Sequence, residues 1–307
     1  MGSPAVERAI QILDFLTTHP GRGFSLSELS RRLGISKATA HGVLATLSER
    51  ALVTRNPDTA EFRLGPALVA MGSVAERGLP ALTHARAEAE RLAEEFEAEC
   101  VVVIAAGEEL LLAARAGVPG PQSITSHEGQ RHPHAPPLGS VVVAWTPDPE
   151  VEAWLDRLDP AFSAAERDHY RAAVARIRRQ GYAIGVRVER LSDLSEIYAD
   201  ADLHSPEGRR RVGRAMAALA HDHAYLPTDE DEIAADTELG SVAAPVFDSD
   251  GALLFAIALM PEGRHGRDVP ELSRAVLRAA GRVTDAIGGR RPSLQTKGDD
   301  DANRPQG

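Results

Sequence analysis

Five sets of side chains in this 307-residue chain have types and spacing that could do chemistry. His127, His132 and His134 lie close together, beside Glu128. Imidazoles ligate zinc, but no cysteine or aspartate stands near these three to complete a tetrahedron. Arg131 and Pro133 share the run, which favours a solvated loop or the mouth of a pocket. His221, Asp222 and His223 are consecutive, and consecutive residues of a helix do not face one way, so one ion does not take all three. Ser140 follows Gly139 without the G-x-S-x-G turn that exposes a nucleophilic serine. Neither a G-x-x-x-x-G-K phosphate loop nor a dinucleotide fingerprint occurs. Cys100, the only cysteine, heads an apolar run, where an inert buried thiol is expected and no disulfide framework can form within one chain. Arg209, Arg210 and Arg211 read as a solvated basic helix face. No catalytic residue, metal site or cofactor is expected, and the chain reads as one that binds rather than catalyses.

Residues 36–63 suggest contact with nucleic acid. Ser36, Lys37, Ala38, Thr39 and His41 are short or polar, able to approach base edges and to donate to phosphates or purine acceptors. Arg55, Asn56, Thr59 and Arg63 fall in a hairpin pattern that would bring cations to the adjacent backbone or minor groove.

Three helices and a hairpin must position these groups. Val6, Ala9, Ile10, Leu13 and Leu16 recur at helical spacing until His19-Pro20-Gly21 breaks the chain. Ser25 and Glu28 form a capping-box pattern ahead of a helix burying Leu26, Leu29 and Leu33. Gly34 supplies a turn, and Ser36 caps a third helix with Ala40, Val43, Leu44 and Leu47 inward. Its opposite face carries Ala38, His41, Gly42 and Ala45. This is the spacing of a helix-turn-helix, whose last helix enters the major groove; Thr54 to Leu64, turning at Asn56-Pro57-Asp58-Thr59, would be its wing.

The formal net charge of −11 looks unsuitable for a DNA partner until it is divided. Residues 1–66 carry eight Arg/Lys and six Asp/Glu, a net +2, against −13 for the remainder. A small basic module suffices when its cations lie along phosphates. No apolar run approaches the roughly 18–20 residues of a membrane span, and no signal sequence opens the chain, so a soluble, cytoplasmic protein without a membrane partner is expected.

Downstream, residues 67–79 and 80–98 have helical composition. Strands are expected at Val101 to Ala105, Leu110 to Ala114, Tyr182 to Val188, Ser241 to Phe247 and Ala252 to Leu259. Helices are expected from Ser163 to Gly181, Pro206 to His223, and Asp268 to Ile287. The order implies an α+β protein with an antiparallel sheet behind the winged module. The division is 1–66 for DNA binding, 67–79 as a connecting helix, 80–289 as a sensor, and 290–307 as a disordered tail.

The stretches AVERAIQILDFL, SLSELSRRLGISKATAHGVLATLSERALV and FRLGPALVAMG resemble the IclR family of transcriptional regulators. The likeness continues through RAEAERLAEEFEAECVVVI, GQRHPHAPPLGSVVVAW, IRRQGYAI and VAAPVFDSDG, covering residues 5 to about 288. It implies double-stranded operator DNA and a small-molecule effector as partners, a homodimer or dimer of dimers, and a GAF-like effector-binding domain. The implied effector site includes Leu138, Gly139, Gly185, Ser241, Ala258 and Met260.

Three departures stand out. Gly42 occupies a recognition-helix position where relatives commonly carry Arg. Residues 189–238 form an insertion where the family usually has about ten residues. Relatives that bind small hydroxy- or keto-acids have an acid, a cysteine and two serines where this chain has Gly185, Ser241, Ala258 and Met260. Such a lining satisfies a carboxylate poorly and suits a hydrophobic effector: aromatic, terpenoid or steroid-like. The alternative is a metabolite-sensing or enzymatic domain whose helix-turn-helix serves only dimerisation.

Overall fold

Local signals set the starts of the first three helices and the end of the second. The computed structural model describes residues 3–19, 21–120, 123–124, 127–158, 161–190, 194, 196–197, 206–222, 225–229 and 233–292. Helix α1 (Pro4–Thr17) opens on a proline, whose missing N–H is lost at a position that has no helical acceptor anyway. Helix α2 (Leu26–Leu33) has a complete capping box: Glu28 N donates to Ser25 Oγ at 3.3 Å and Ser25 N to Glu28 Oε2 at 2.9 Å. Gly34 ends α2 at φ 65°, a left-handed conformation glycine adopts without penalty. Thr39 N then donates to Ser36 Oγ at 3.1 Å and starts α3 (Lys37–Glu49).

These helices close around Ile12, Phe15, Leu16, Phe24, Leu29, Ile35, Ala40, Leu44, Leu47 and Val53. Strands β1 (Val53–Arg55) and β2 (Phe62–Leu64) form the wing. Phe24 adds a third rung, exchanging both backbone hydrogen bonds with Phe62 at 3.1 and 2.8 Å. Helix α4 (Pro66–Arg77) follows directly and buries none of its side chains. Helix α5 (Pro80–Phe96) does bury a stripe, with Ala85, Ala89, Leu92, Ala93 and Phe96 turned inward.

Strands β3 (Glu99–Ala106), β4 (Glu109–Ala116), β5 (Arg131–Pro133), β6 (Ala183–Val186), β7 (Leu239–Phe247) and β8 (Leu253–Met260) make an antiparallel sheet in the order β5-β4-β3-β8-β7-β6. Side chains alternate across it. Cys100, Val102, Val242, Ala244, Ile257 and Leu259 face α5 and the last helix, α10 (Val269–Ala286). Val101, Ala243, Ala256 and Ala258 face a second layer built from α6 (Ser140–Val143), α7 (Asp148–Leu155), α8 (Ala164–Gln180) and α9 (Pro206–Ala220).

The sequence periodicity did not indicate β5 or α7, and α6 was legible only through the family resemblance. All three are short, and Pro133, Pro136, Pro137, Pro147 and Pro149 interrupt any repeat. The insertion is not a surface appendage: Val212, Met216, Ala217, Leu219 and Ala220 of α9 join the core under α8. Helix α9 stops at Ala220, short of the expected end at His223, which lies outside the described residues, as do 293–307 of the expected tail.

Candidate nucleic-acid interface and internal cavity

Helix α3 separates two chemistries. Ala40, Leu44 and Leu47 are buried in the winged core, while Ser36, Lys37, Ala38, Thr39, His41 and Gly42 are exposed. A β-carbon at Gly42 would meet nothing within 4 Å, so this face has room for a larger residue. Ser36 works twice, as helix cap and as exposed hydroxyl 2.9 Å from Thr39 Oγ1.

The wing is more structural than its composition suggests. Asn56 is half-buried, and its Oδ1 accepts from Asp58 N at 2.8 Å and Thr59 N at 3.2 Å, closing the turn. Its carbonyl oxygen is therefore occupied within the hairpin. Thr59 is exposed, its hydroxyl donating to Glu61 at 3.1 Å. The register pairs Arg55 with Phe62 and Thr54 with Arg63, so the two arginines leave opposite faces of the hairpin. Arg55 lies 5.8 Å over the Phe62 ring, and Arg63 lies 3.7 Å from Glu61.

The second feature is a cavity of about 160 Å³ between the sheet, the start of α6 and the turn at Tyr225 and Leu226. Leu138, Gly139, Gly185, Ser241, Ala258 and Met260 all line it. Strand alternation explains why: Val101 and Val103, Ala256 and Ala258, and Ser241 and Ala243 project to the same side of three neighbouring strands. Several are small, which leaves the space unfilled. Gly139 has φ 80°, and a β-carbon there would stand 2.7 Å from His134 Nε2.

The expected apolar lining needs correction. Glu99, Ser123, His132, Arg187 and Tyr225 also reach the cavity, so polar groups arrive from positions outside the four that the family resemblance highlighted. Glu99 is 1% exposed, with Arg115 Nε at 2.9 Å and the Ser123 hydroxyl donating at 2.6 Å. Arg187 Nε lies 2.9 Å from Glu238. Tyr225 hydrogen-bonds Ser241, and burial raises its phenol above the ordinary range. A sequence signal for Glu99 existed, since it alternates with Val101 and Val103. Tyr225 had none.

The histidine run is not the solvated loop one of its two readings expected. His132 and His134 are buried, and His132 lines the cavity. Burial, followed by the nearby His127, lowers His132 to about 4. Burial, followed by the charge of Arg157, lowers His134 to about 4. Both are neutral at pH 7. Among the described residues no group of three His, Cys, Asp or Glu is placed to hold a metal ion. Cys100 is fully buried, and burial raises its thiol to about 12. Among the described residues no helix is long and apolar enough to cross a membrane.

A winged helix-turn-helix with an exposed polar third helix, joined to a cavity-bearing antiparallel α/β domain, defines a DNA-binding transcriptional regulator. Residues 5–57 match the IclR helix-turn-helix domain. The chain is 30% identical over 186 residues to the HTH-type transcriptional regulator XynR of Escherichia coli, spanning 59% of this chain and 73% of that one. It belongs to the IclR family. The fold is similar to that of the IclR regulator from Alicyclobacillus acidocaldarius, with TM-score 0.67 and 22% identity over 94% of this chain and 100% of that one. An IclR homologue from Microbacterium hydrocarbonoxydans, solved with 4-hydroxybenzoate, aligns with TM-score 0.60 and 18% identity over 92% and 98% of the two chains.

Proposed function

We propose that this regulator reads operator DNA with α3 and that a small molecule in the cavity modulates that binding. The exposed face of α3 carries the first part of this reading, because Ser36, Lys37, Ala38, Thr39 and His41 are free to enter a major groove while the opposite face anchors the helix. Arg55, Thr59 and Arg63 would contact phosphates beside it, and Asn56 would shape the turn that presents them. The functional units are residues 1–66, the connecting helix through 79, and the sensor from 80 to 289, acting in the cytoplasm where the chromosome lies.

The active form is a homodimer. Helix α4 leaves Val69, Met71 and Val74 between 57 and 73% exposed, and Val6 and Ile10 of α1 are 50% exposed or more. An apolar helix that buries none of its side chains among the described residues is best covered by a second copy. Two recognition helices related by that two-fold would enter successive major grooves.

The effector is a neutral molecule about the size of one ring. An engineered cavity of about 150 Å³ accommodates benzene, so a volume of this order matches a single ring. Glu99 is paired with Arg115 and Arg187 with Glu238, and Glu262 adds a further negative charge, so the lining offers a carboxylate little net attraction. The 4-hydroxybenzoate in the Microbacterium homologue is likewise a single-ring compound, and differs from the effector proposed for this chain in carrying a carboxylate. Occupancy alters operator affinity only by the difference in ligand binding between the two arrangements of the dimer.

An electrophoretic mobility shift of the full chain on its own upstream region, at several salt concentrations, tests the DNA reading. Specific retardation that weakens with salt, and weakens further in Lys37→Ala and His41→Ala, is expected. Equal weak binding to random DNA, unchanged by either substitution, would overturn it.

A further inference from the structure

We infer that Tyr225, delivered by the long segment between β6 and β7, is a specificity-determining residue of the cavity, presenting a hydrogen-bond donor to a hydroxyl or carbonyl oxygen of the ligand. The inference rests on the cavity being the effector site and adds the chemistry by which it selects.

Tyr225 and Leu226 line the cavity although both lie far along the chain from the strands that form its floor. Their turn is fixed from behind by α8. Tyr170 Oη donates to Ala220 O at 2.8 Å, Arg176 donates to Pro227 O at 2.9 Å, and His169 Nε2 lies 2.9 Å from Leu226 O. These bonds bracket Tyr225 on both sides in sequence, so its ring is held rather than draped over the opening.

Gly185 makes the place for that ring. A β-carbon at this position would stand 3.1 Å from Tyr225 Oη and Cζ and 2.6 Å from Ser241 Oγ. Any side chain on β6 here would displace the phenol, so the absent side chain of Gly185 and the present one of Tyr225 are two halves of one arrangement.

Tyr225 Oη and Ser241 Oγ meet at one point of the wall, 3.1 and 2.6 Å from where a β-carbon on Gly185 would stand, which sets the two hydroxyls to share one hydrogen bond. Two hydroxyls hold two protons and four acceptor lone pairs, and their mutual bond uses one of each. One O–H therefore remains for a further acceptor beside the aliphatic walls of Val101, Val103, Ala256 and Ala258. A buried donor discriminates strongly, because a ligand without a matching oxygen leaves it unsatisfied.

Calorimetric titration of the full chain with p-cresol and with toluene, which differ only by the hydroxyl, tests this. Tyr225→Phe keeps the ring and removes the oxygen; p-cresol affinity is expected to fall roughly five- to tenfold with toluene unchanged or tighter. Ser241→Ala provides an independent variant with the same expected asymmetry. Equal loss for both probes, no loss for p-cresol, or binding of toluene alone to the wild type would overturn the role of Tyr225 while leaving the cavity as a ligand site. Failure of both probes to bind the wild type at millimolar concentration would overturn the effector-cavity reading and this inference with it.

Discussion

Arg131 Nε lies 3.9 Å from Asp14 Oδ2, so the edge strand next to the cavity reaches the first helix of the winged module. Gly129, at φ 85°, brings the same loop against that helix, since a β-carbon on it would meet Thr17 Cγ2 at 2.8 Å. Burial raises the Asp14 carboxyl, and Arg131 only partly offsets this. A carboxyl whose folded value is raised loses stability when ionised, and the loss disappears once pH falls below its ordinary 3.8 and both states are protonated. Asp14→Asn should therefore raise the melting temperature at pH 7, with the gain vanishing near pH 3. Calorimetric melting across that range checks it, and a lowered midpoint at pH 7 would mean that the Arg131 pair dominates.

His132 and His134 predict a second pH dependence in a different window. Each is held near 4 against an ordinary 6.5, so the unfolded chain takes up protons below 6.5 that the folded chain refuses. Stability should fall by about 1.4 kcal/mol per pH unit for each histidine as pH drops from 6.5 towards 4. Glu152, lowered to about 2 by Arg171 and then Arg167, and Glu166, lowered to about 2 by Ser163 and then His221, contribute only below 4.5. Urea midpoints measured between pH 7.5 and 4.5 should show the slope, and His132→Leu should reduce it by about half.

Gly42 is the site where stability and DNA affinity should both improve. With open space around its Cα, Gly42→Ala should stabilise the chain by about 0.8–1 kcal/mol through helix propensity alone. Gly42→Arg should in addition tighten DNA binding and steepen the dependence of log affinity on log salt by about 0.9, one phosphate contact's worth. Fluorescence anisotropy at four salt concentrations distinguishes that gain from a steric loss, which would weaken binding at every concentration.

Met71→Glu with Val74→Glu should separate the dimer without unfolding the protomer, because both side chains are more than half exposed within one chain. Sedimentation velocity should show the monomer at concentrations where the wild type is dimeric, with unchanged circular dichroism. Persistence of the dimer would place the interface elsewhere.

What the sequence disclosed follows the range of its signals. Ser25 with Glu28 and Ser163 with Glu166 announce helix starts because capping is satisfied within four residues, and both capping boxes are formed. Strand alternation likewise carries Gly185, Ser241, Ala258 and Met260 to one face. Leu138 and Gly139 came from the family resemblance rather than from spacing. Contacts between distant segments left no such mark. Tyr225 reaches the cavity because its turn is hydrogen-bonded to α8, and His132 is carried to it by a short edge strand that pairs with β4. Tyr225 and His132 thus left no trace in the local pattern, and a lining that looked apolar is mixed. Asn56 shows a second role that its composition did not announce: its side-chain oxygen closes its own turn.

Genome-wide mapping of bound sites in cells, for the wild type and for Lys37→Ala with His41→Ala, tests the central claim most directly. A few discrete sites carrying an inverted repeat, with half-sites one or more helical turns of about 10–10.5 base pairs apart, should appear for the wild type and be lost in the variant. An absence of enriched sites, or the same sites retained by the variant, would contradict recognition of DNA through α3.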